Sequence, residues 1–304
     1  MAAVNYAELY LQALQQRFAD ALMFYDLYNT PNNDNIKWVN AKTVQIPHIV
    51  VGGYQDVARD AVGGYTRRAD NAWESKTLQH DREFRTLVDP TDIDETNLAL
   101  SIANITRVFN DEEKIPELDK YMASKLYTEF TKYGGTALTD NITESNVLGM
   151  YDELMYEMDE AEVPQNGRIL YVTPTVSKVL KNADKVTRFL QVTDAGGAIN
   201  RNVRSLDEVK IVTVPSSRMK TIYNFTDGAV ADTSAAQINM ILVHPLSIIT
   251  PMKYEFVSLS EPSAVTGGKY LYYERAYWDV FVLEQKAPGI KFAITQPTKQ
   301  QSGS

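Results

Sequence analysis

The sequence predicts an α+β fold, and three observations carry that expectation. Apolar residues recur at helical spacing near the start, over 99–109 and over 116–133. The middle of the chain alternates helical and strand-like segments, and the last third is β-rich, with runs at 238–243, 252–259 and 269–283. The 304 residues are 44% hydrophobic and 23% charged, a composition suited to burying a core. Thirty Lys/Arg against 39 Asp/Glu give a net charge of −9, so no global basic field grips nucleic acid. The absence of cysteine excludes disulfides, thiolate metal sites and cysteine nucleophiles, and suits a reducing compartment. Glu8, Arg17, Asp20 and Asp26 interrupt 1–29, which therefore lacks a signal-peptide core. No apolar run approaches the ~18 residues that a membrane span needs. The expectation is a soluble intracellular protein.

Taken in order, Asn5 and Glu8 form a capping-box pair, and Leu11, Leu14, Phe18, Ala21 and Tyr25 line one helix face. That face packs on its own domain or on a partner. Residues 30–33, Thr-Pro-Asn-Asn, read as a polar linker, and 43–51 read as a strand bent or edged by Pro47. From there to 88 the pattern is a long, mostly polar, two-stranded excursion, with Leu78, His80, Arg82 and Phe84 on one side of its second half. A lone hairpin is marginal in water, so this one lies on something, such as a neighbouring subunit. An acidic corner at 89–95 precedes an apolar run through Ala99, Ile102, Ile105 and Phe109. Asp92 and Asp94 are spaced like the start of a calcium loop, but the glycine and distal glutamate are missing, which favours helix capping. Pro116 and Glu117 then open a helix over 116–133, stopped by Gly134-Gly135.

Further on, Val147, Tyr151, Leu154 and Met158 share a helix face. Residues 168–173 and 209–214 read as strands, with a short helix from Pro174 between them. Between 140 and 162 there are eight carboxylates and no Lys or Arg, whereas 178–220 holds nine Lys/Arg against four Asp/Glu. One lobe therefore carries an acidic helix and a basic tract.

Catalytic patterns are weak. His48, His80 and His244 lie far apart in sequence and lack metal-ligand spacing. Ser217 and Lys220 fit a serine–lysine spacing without its companion motifs, and Gly267-Gly268-Lys269 lacks the rest of a phosphate loop. Neither strand–helix turn carries a dinucleotide glycine fingerprint. The expectation is a non-enzyme with no cofactor and no metal.

The order of parts resembles the major capsid proteins of tailed bacteriophages, the Hong-Kong-97-type fold. Its local carriers are Asp92-Ile-Asp94-Glu95-Thr96, Ile115-Pro116-Glu117-Leu118-Asp119 with Tyr121, Gly167 to Pro174, and Tyr273-Glu274-Arg275 with Tyr277 and Asp279 to Val282. The resemblance covers nearly the whole chain. It implies an N-terminal arm (1–45), an extended loop (46–88), and a peripheral domain with a long spine helix (89–140 and 241–297). It further implies an α/β axial domain (141–240) and a flexible tail (298–304). Such proteins self-assemble into hexameric and pentameric capsomers of an icosahedral head around double-stranded DNA, which they contact non-specifically. Scaffolding, portal and possible decoration proteins are the implied partners, assembly in the host cytoplasm the implied setting, and the virion capsid the implied location; no membrane is involved.

Some members crosslink through a loop lysine; the loop tip here, Gly63-Gly64-Tyr65-Thr66-Arg67-Arg68, has none, so crosslinking is not expected. A long scaffolding segment is likewise absent ahead of the arm, which implies a separate or already removed scaffold. The expected intersubunit contacts are Gly63, Gly64, Tyr65, Arg67 and Arg68 on the loop. Asp152, Glu153 and Glu157 are expected to face Lys181, Lys185 and Arg188 across a head-to-tail interface, the competing arrangements being contact within one subunit or exposure to solvent. Two other readings stand: a cellular nanocompartment (encapsulin-like) shell of the same fold, and an acidic α/β hydrolase.

Overall fold

The computed structural model describes residues 21–40, 42–51, 69–91, 107–183, 191–192, 199–200 and 205–296. After a helical turn at Tyr25–Tyr28 come strands β1 (Thr43–Val51), β2 (Ala69–Thr77) and β3 (His80–Val88). Helix α1 (Ile115–Lys132) follows. It continues without a break from the π-helical turn Asn110–Lys114, so Pro116 and Glu117 do not stand at a free helix start as the sequence predicted; Lys132 lies in the last turn, at the negative end. Gly134, at φ +79°, closes it in a conformation that glycine adopts without a Cβ penalty. Helix α2 (Val147–Glu160) precedes β4 (Ile169–Val172), and helix α3 (Pro174–Asn182) is capped by the Thr173 hydroxyl. Strands β5 (Val209–Thr213), β6 (Gln237–Val243), β7 (Met252–Ser260), β8 (Tyr270–Trp278) and β9 (Ile290–Thr295) complete the chain.

A five-stranded mixed sheet, in the order β9-β6-β4-β5 with Ser205–Leu206 at the far edge, organises the body. Strands β4 and β5 are parallel, as expected for a strand–helix–strand unit; the other pairs are antiparallel. All four β4 residues are buried, because each sheet face has its own cover. Ile169 and Tyr171 point to the side of α1, where Met122, Leu126 and Phe130 meet Ile241, Val243 and Phe292. Leu170 and Val172 point the other way, to Tyr151, Leu154 and Met158 of α2 and Val176 and Leu180 of α3. A bulge between Ile238 and Met240 keeps β6 in register with both faces.

A second, three-stranded sheet runs β7-β8-β3, and a third joins Lys37–Trp38, β1 and β2. Here the chain departs from the expected boundaries. The excursion ends at Thr77: β1 pairs along its whole length with β2, from Thr43 opposite Thr77 to Val51 opposite Ala69. Residues 80–88 instead pair with β8, whose partner register runs from Trp278 opposite His80 to Tyr270 opposite Val88. The apolar side read for 80–84 is correct in direction, since His80 is buried whereas Glu83 and Arg85 are exposed. What covers it is the body. Strand β6 also crosses the boundary expected at 240, and β9 lies in the same sheet as β4 rather than returning elsewhere.

The arm's apolar face differs too. Leu11, Leu14 and Phe18 lie outside the described residues. Tyr25, placed on the seam, is 61% exposed, while Phe24 and Leu27 are fully buried in the α1-side core. A four-residue turn is too short to carry the phase of a preceding periodicity. The acidic corner from Asp92 onward, the run Ala99 to Ile105 and the tail 298–304 also lie outside the described residues.

Candidate assembly surfaces

Three surfaces present chemistry that the core does not absorb. The first is the hairpin β1/β2. At its root, Val44 and Leu78 are buried with Tyr277 and Phe281, and the Leu78 amide donates to Lys42 O at 2.8 Å. Lys76 Nζ donates to Tyr133 Oη at 3.2 Å, tying β2 to the end of α1. Further out, Trp73 is 48% exposed, with Lys37 Nζ 5.5 Å from its ring centroid. Pro47 lies beyond the two residues paired with Lys37–Trp38, so β1 is an edge there and the missing N–H costs no ladder bond. The chain leaves the hairpin where the Gln79 amide donates to Asp279 Oδ2 at 2.9 Å. Asp279, fully buried, also accepts from Tyr121 Oη at 2.7 Å. The expected tip contacts Gly63, Gly64, Tyr65, Arg67 and Arg68 lie outside the described residues.

The second surface is β7, the edge of its sheet. Phe256, Val257 and Leu259 are 42%, 54% and 51% exposed. Neighbouring residues on a strand face opposite sides, so both faces of this edge show apolar groups. Its outer backbone row is unpaired among the described residues, which makes it a template for another strand.

The third is α2. Asp152 and Glu153 are exposed. Glu157 is half-buried and joined to Lys291 of β9 at 2.6 Å, within the subunit. Asp159 likewise holds the buried Arg168 at 2.6 Å. Among the described residues, the α2 carboxylates that find basic partners thus find them just ahead of β4 and on β9. Lys181 is half-buried on α3, whereas Lys185 and Arg188 lie outside the described residues.

A groove of about 650 Å³ lies between β3, the start of α1 and residues 226–228. Its two most buried acids, Glu117 and Glu274, are paired. Arg82 Nε meets Glu117 Oε1 at 2.6 Å, and Lys114 holds Glu274. Burial pushes the Glu117 carboxyl up, but His80 and Arg82 outweigh it and hold the group below the usual carboxylate range. His80 stacks on Tyr121 at 3.9 Å and meets Trp278 edge-on, with Nε2 3.3 Å from Glu117 Oε1. His244 donates from Nε2 to Asn166 O and accepts the Leu246 amide at Nδ1, capping the turn Pro245–Ser247. Both histidines are held by local structure. Ser217 lends its carbonyl to Tyr223 Oη at 2.7 Å in a tight turn. Among the described residues no three His, Cys, Asp or Glu side chains gather as a metal site, and no helix is long and apolar enough to cross a membrane.

Sequence reasoning missed the buried pair Asp119–Arg218, at 2.7 Å, and the buried Asp279. Asp119 sits within a motif that carried the family resemblance, yet a single acid on a helix reads as solvated.

No protein-family model and no curated protein match the sequence. Solved structures do. A chain from Mycobacterium phage Che8 superposes with a TM-score of 0.64 at 16% identity, over 91% of this chain and 93% of that one. A chain of the bacteriophage PhiM1 mature capsid gives 0.61 at 14% identity, over 85% and 82%. One from the capsid of cyanophage P-SCSP1u gives 0.60 at 10% identity, over 93% and 90%. Each likeness runs over most of both chains, and the fold of this chain is that of the tailed-phage capsid proteins.

Proposed function

We propose that this chain is the major capsid protein of a tailed phage, a non-enzymatic shell subunit that forms hexamers and pentamers of an icosahedral head around double-stranded DNA. The observation that carries the reading is the whole-length likeness to capsid chains, in which both partners are covered almost completely. Physical features support it. Trp73 on the hairpin is 48% exposed, and β7 shows apolar groups on both faces; each gains cover when subunits meet. A net charge of −9 keeps the lining from gripping DNA, since phosphate contacts are driven by Lys/Arg and counterion release.

On this reading, an arm before residue 21 and the loop β1–β2 reach neighbouring subunits, with Gly63 to Arg68 at the loop tip. The α2–β4–α3–β5 unit faces the capsomer axis, and α1 with the β7-β8-β3 sheet forms the periphery. Scaffolding, portal and decoration proteins act as partners, and assembly takes place in the host cytoplasm. Asp152 and Glu153 remain the acidic candidates for contact with Lys181, Lys185 and Arg188 of a neighbour, whereas Glu157 serves inside its own subunit.

The test is direct. Size-exclusion chromatography and negative-stain microscopy of the purified chain should show rings or shells. A monomer at every concentration and salt, with or without a co-expressed scaffold, would overturn the reading. Reversal of Lys181, Lys185 and Arg188 to glutamate should weaken capsomer formation, and adding Asp152→Lys and Glu153→Lys should restore it. Equal assembly of the triple variant at low salt would remove the charge contacts from the proposal.

A further inference from the structure

Asp119 is fully buried in the first half of α1, and no step of shell chemistry requires a charge there. Its carboxylate gathers three donors. Oδ1 accepts the amides of Met23 and Phe24, each at 3.1 Å, and Oδ2 accepts Arg218 Nη1 at 2.7 Å. The same Arg218 nitrogen donates to Ala21 O at 3.0 Å. Arg218 is itself buried, in the turn Ser216–Arg218 that precedes the sheet strand β6. One ion pair therefore holds both an outgoing carbonyl and two incoming amides of a single short stretch of chain.

Downstream of that point the chain stays fastened. Phe24 packs on Tyr171 at 4.5 Å, Tyr28 Oη donates to Leu118 O at 2.9 Å, and Thr30 Oγ1 donates to Pro245 O at 2.8 Å. Asn33 exchanges hydrogen bonds with Thr250, donating to its hydroxyl and accepting its amide. Residues 21–33 thus form a strap across α1, β4 and the 245–250 segment. Its contacts after Leu27 are hydrogen bonds donated mostly by its own side-chain hydroxyls and amides to backbone carbonyls, each modest alone; the charged contacts sit nearer the head.

We propose that the Asp119–Arg218 pair is a latch: it holds the strap 21–33 closed on the body as one cooperative unit. A carboxylate that loses its backbone partners is left buried with unfilled acceptors, so head and tail of the strap should release together rather than fray.

Hydrogen exchange on the full chain tests this. The decisive amides are Leu27, Tyr28 and Thr250, because none of them bonds to Asp119. In Asp119→Asn their exchange should accelerate by at least about tenfold, in step with Met23 and Phe24, while Ile241 in β6 keeps its protection. Arg218→Lys, which keeps the charge, should give a smaller acceleration of the same set. The unmodified protein supplies a second measurement. At low denaturant these amides should share one opening step below global unfolding. Acceleration confined to Met23 and Phe24 would reduce the pair to a local cap and overturn the latch. Uniform acceleration that included Ile241, or separate openings in the unmodified chain, would overturn it equally.

Discussion

The hairpin β1/β2 and the five-stranded sheet use the same ladder of backbone hydrogen bonds, yet they are stabilised in opposite ways. Strand β4 has only four residues, all buried, because α1 covers one face and α2 and α3 the other. Strands β1 and β2 have nine residues each; Val44 and Ile46 of β1 are buried near the root, whereas Trp73 of β2 is 48% exposed. Length of pairing is therefore no measure of independent stability; cover is. The sheet is covered on both faces within one subunit, whereas Trp73 on the hairpin stays largely exposed.

That contrast predicts the largest difference. Leu170→Ala should lower the unfolding free energy of isolated subunits by about 2–5 kcal/mol in a denaturant titration, since it empties a site enclosed by two helices. Trp73→Ala on the hairpin should stay within about 0.5 kcal/mol in the same titration, yet weaken assembly. Comparable losses in isolated subunits would erase the distinction between the two regions.

A smaller effect comes from the close contact that ends α1. A Cβ on Gly135 would stand 2.2 Å from the Phe130 ring, which in turn packs on Phe292 at 5.0 Å. Gly135→Ala should therefore cost about 1–3 kcal/mol by displacing a core aromatic against the sheet. A neutral Gly135→Ala would show that the α1 side of the sheet is looser than its burial implies. On the opposite side, Thr173→Ala removes the hydroxyl that accepts the Val176 amide and should cost about 1 kcal/mol, read as a fall in Tm. No change would mean that α3 owes its position to Val176 and Leu180 alone.

The same contrast explains what could be read from the sequence. Helices α1 and α2 were legible because their buried faces repeat at helical spacing and turn toward one sheet; Val147, Tyr151, Leu154 and Met158 are all buried as expected. Strand β3 was legible as a strand, but its partner β8 lies some 190 residues away, and no local pattern names a partner at that range. For the same reason the sequence did not show that β6 and β9 join β4 in one sheet. Phe24 and Leu27 show a different limit: in a single four-residue turn just ahead of the linker they face inward, while Tyr25, expected on the apolar seam, is 61% exposed. The pairing of Glu157 with Lys291 was hidden because an acidic helix face reads as solvated until a strand from the far end of the chain is laid beside it. Asp119 was hidden by the same rule.

The smallest expected effect concerns the joint between the two regions, and its sign follows from one carboxylate. Asp81 opens β3, just beyond the hairpin root. It accepts Arg275 Nε at 3.0 Å and Nη2 at 2.7 Å from β8, and Lys42 Nζ at 2.6 Å from the chain ahead of β1. The hydrogen bond from Arg275 acts most strongly; burial opposes it, and the Lys42 hydrogen bond and both cations' charge help hold the pKa down at about 2. A folded-state pKa below that of the unfolded chain, about 3.9 for a free aspartate, means that the unfolded state binds the proton first. The stabilisation is then fully present above about pH 4 and is lost as pH falls toward 2. Because Lys42 and Arg275 are 45% and 42% exposed, solvent screens the pairs and the loss is modest. Asp81→Asn should flatten the difference in stability between pH 4 and pH 2, while leaving the midpoint near pH 7 only slightly lowered. The amide of Leu78, bonded to Lys42 O, should exchange faster in this variant, whereas Ile241 in the central sheet should not respond. An acid limb unchanged by Asp81→Asn would place the joint's strength in Val44, Leu78, Tyr277 and Phe281 alone, and the hairpin would be hinged on an apolar contact rather than on charge.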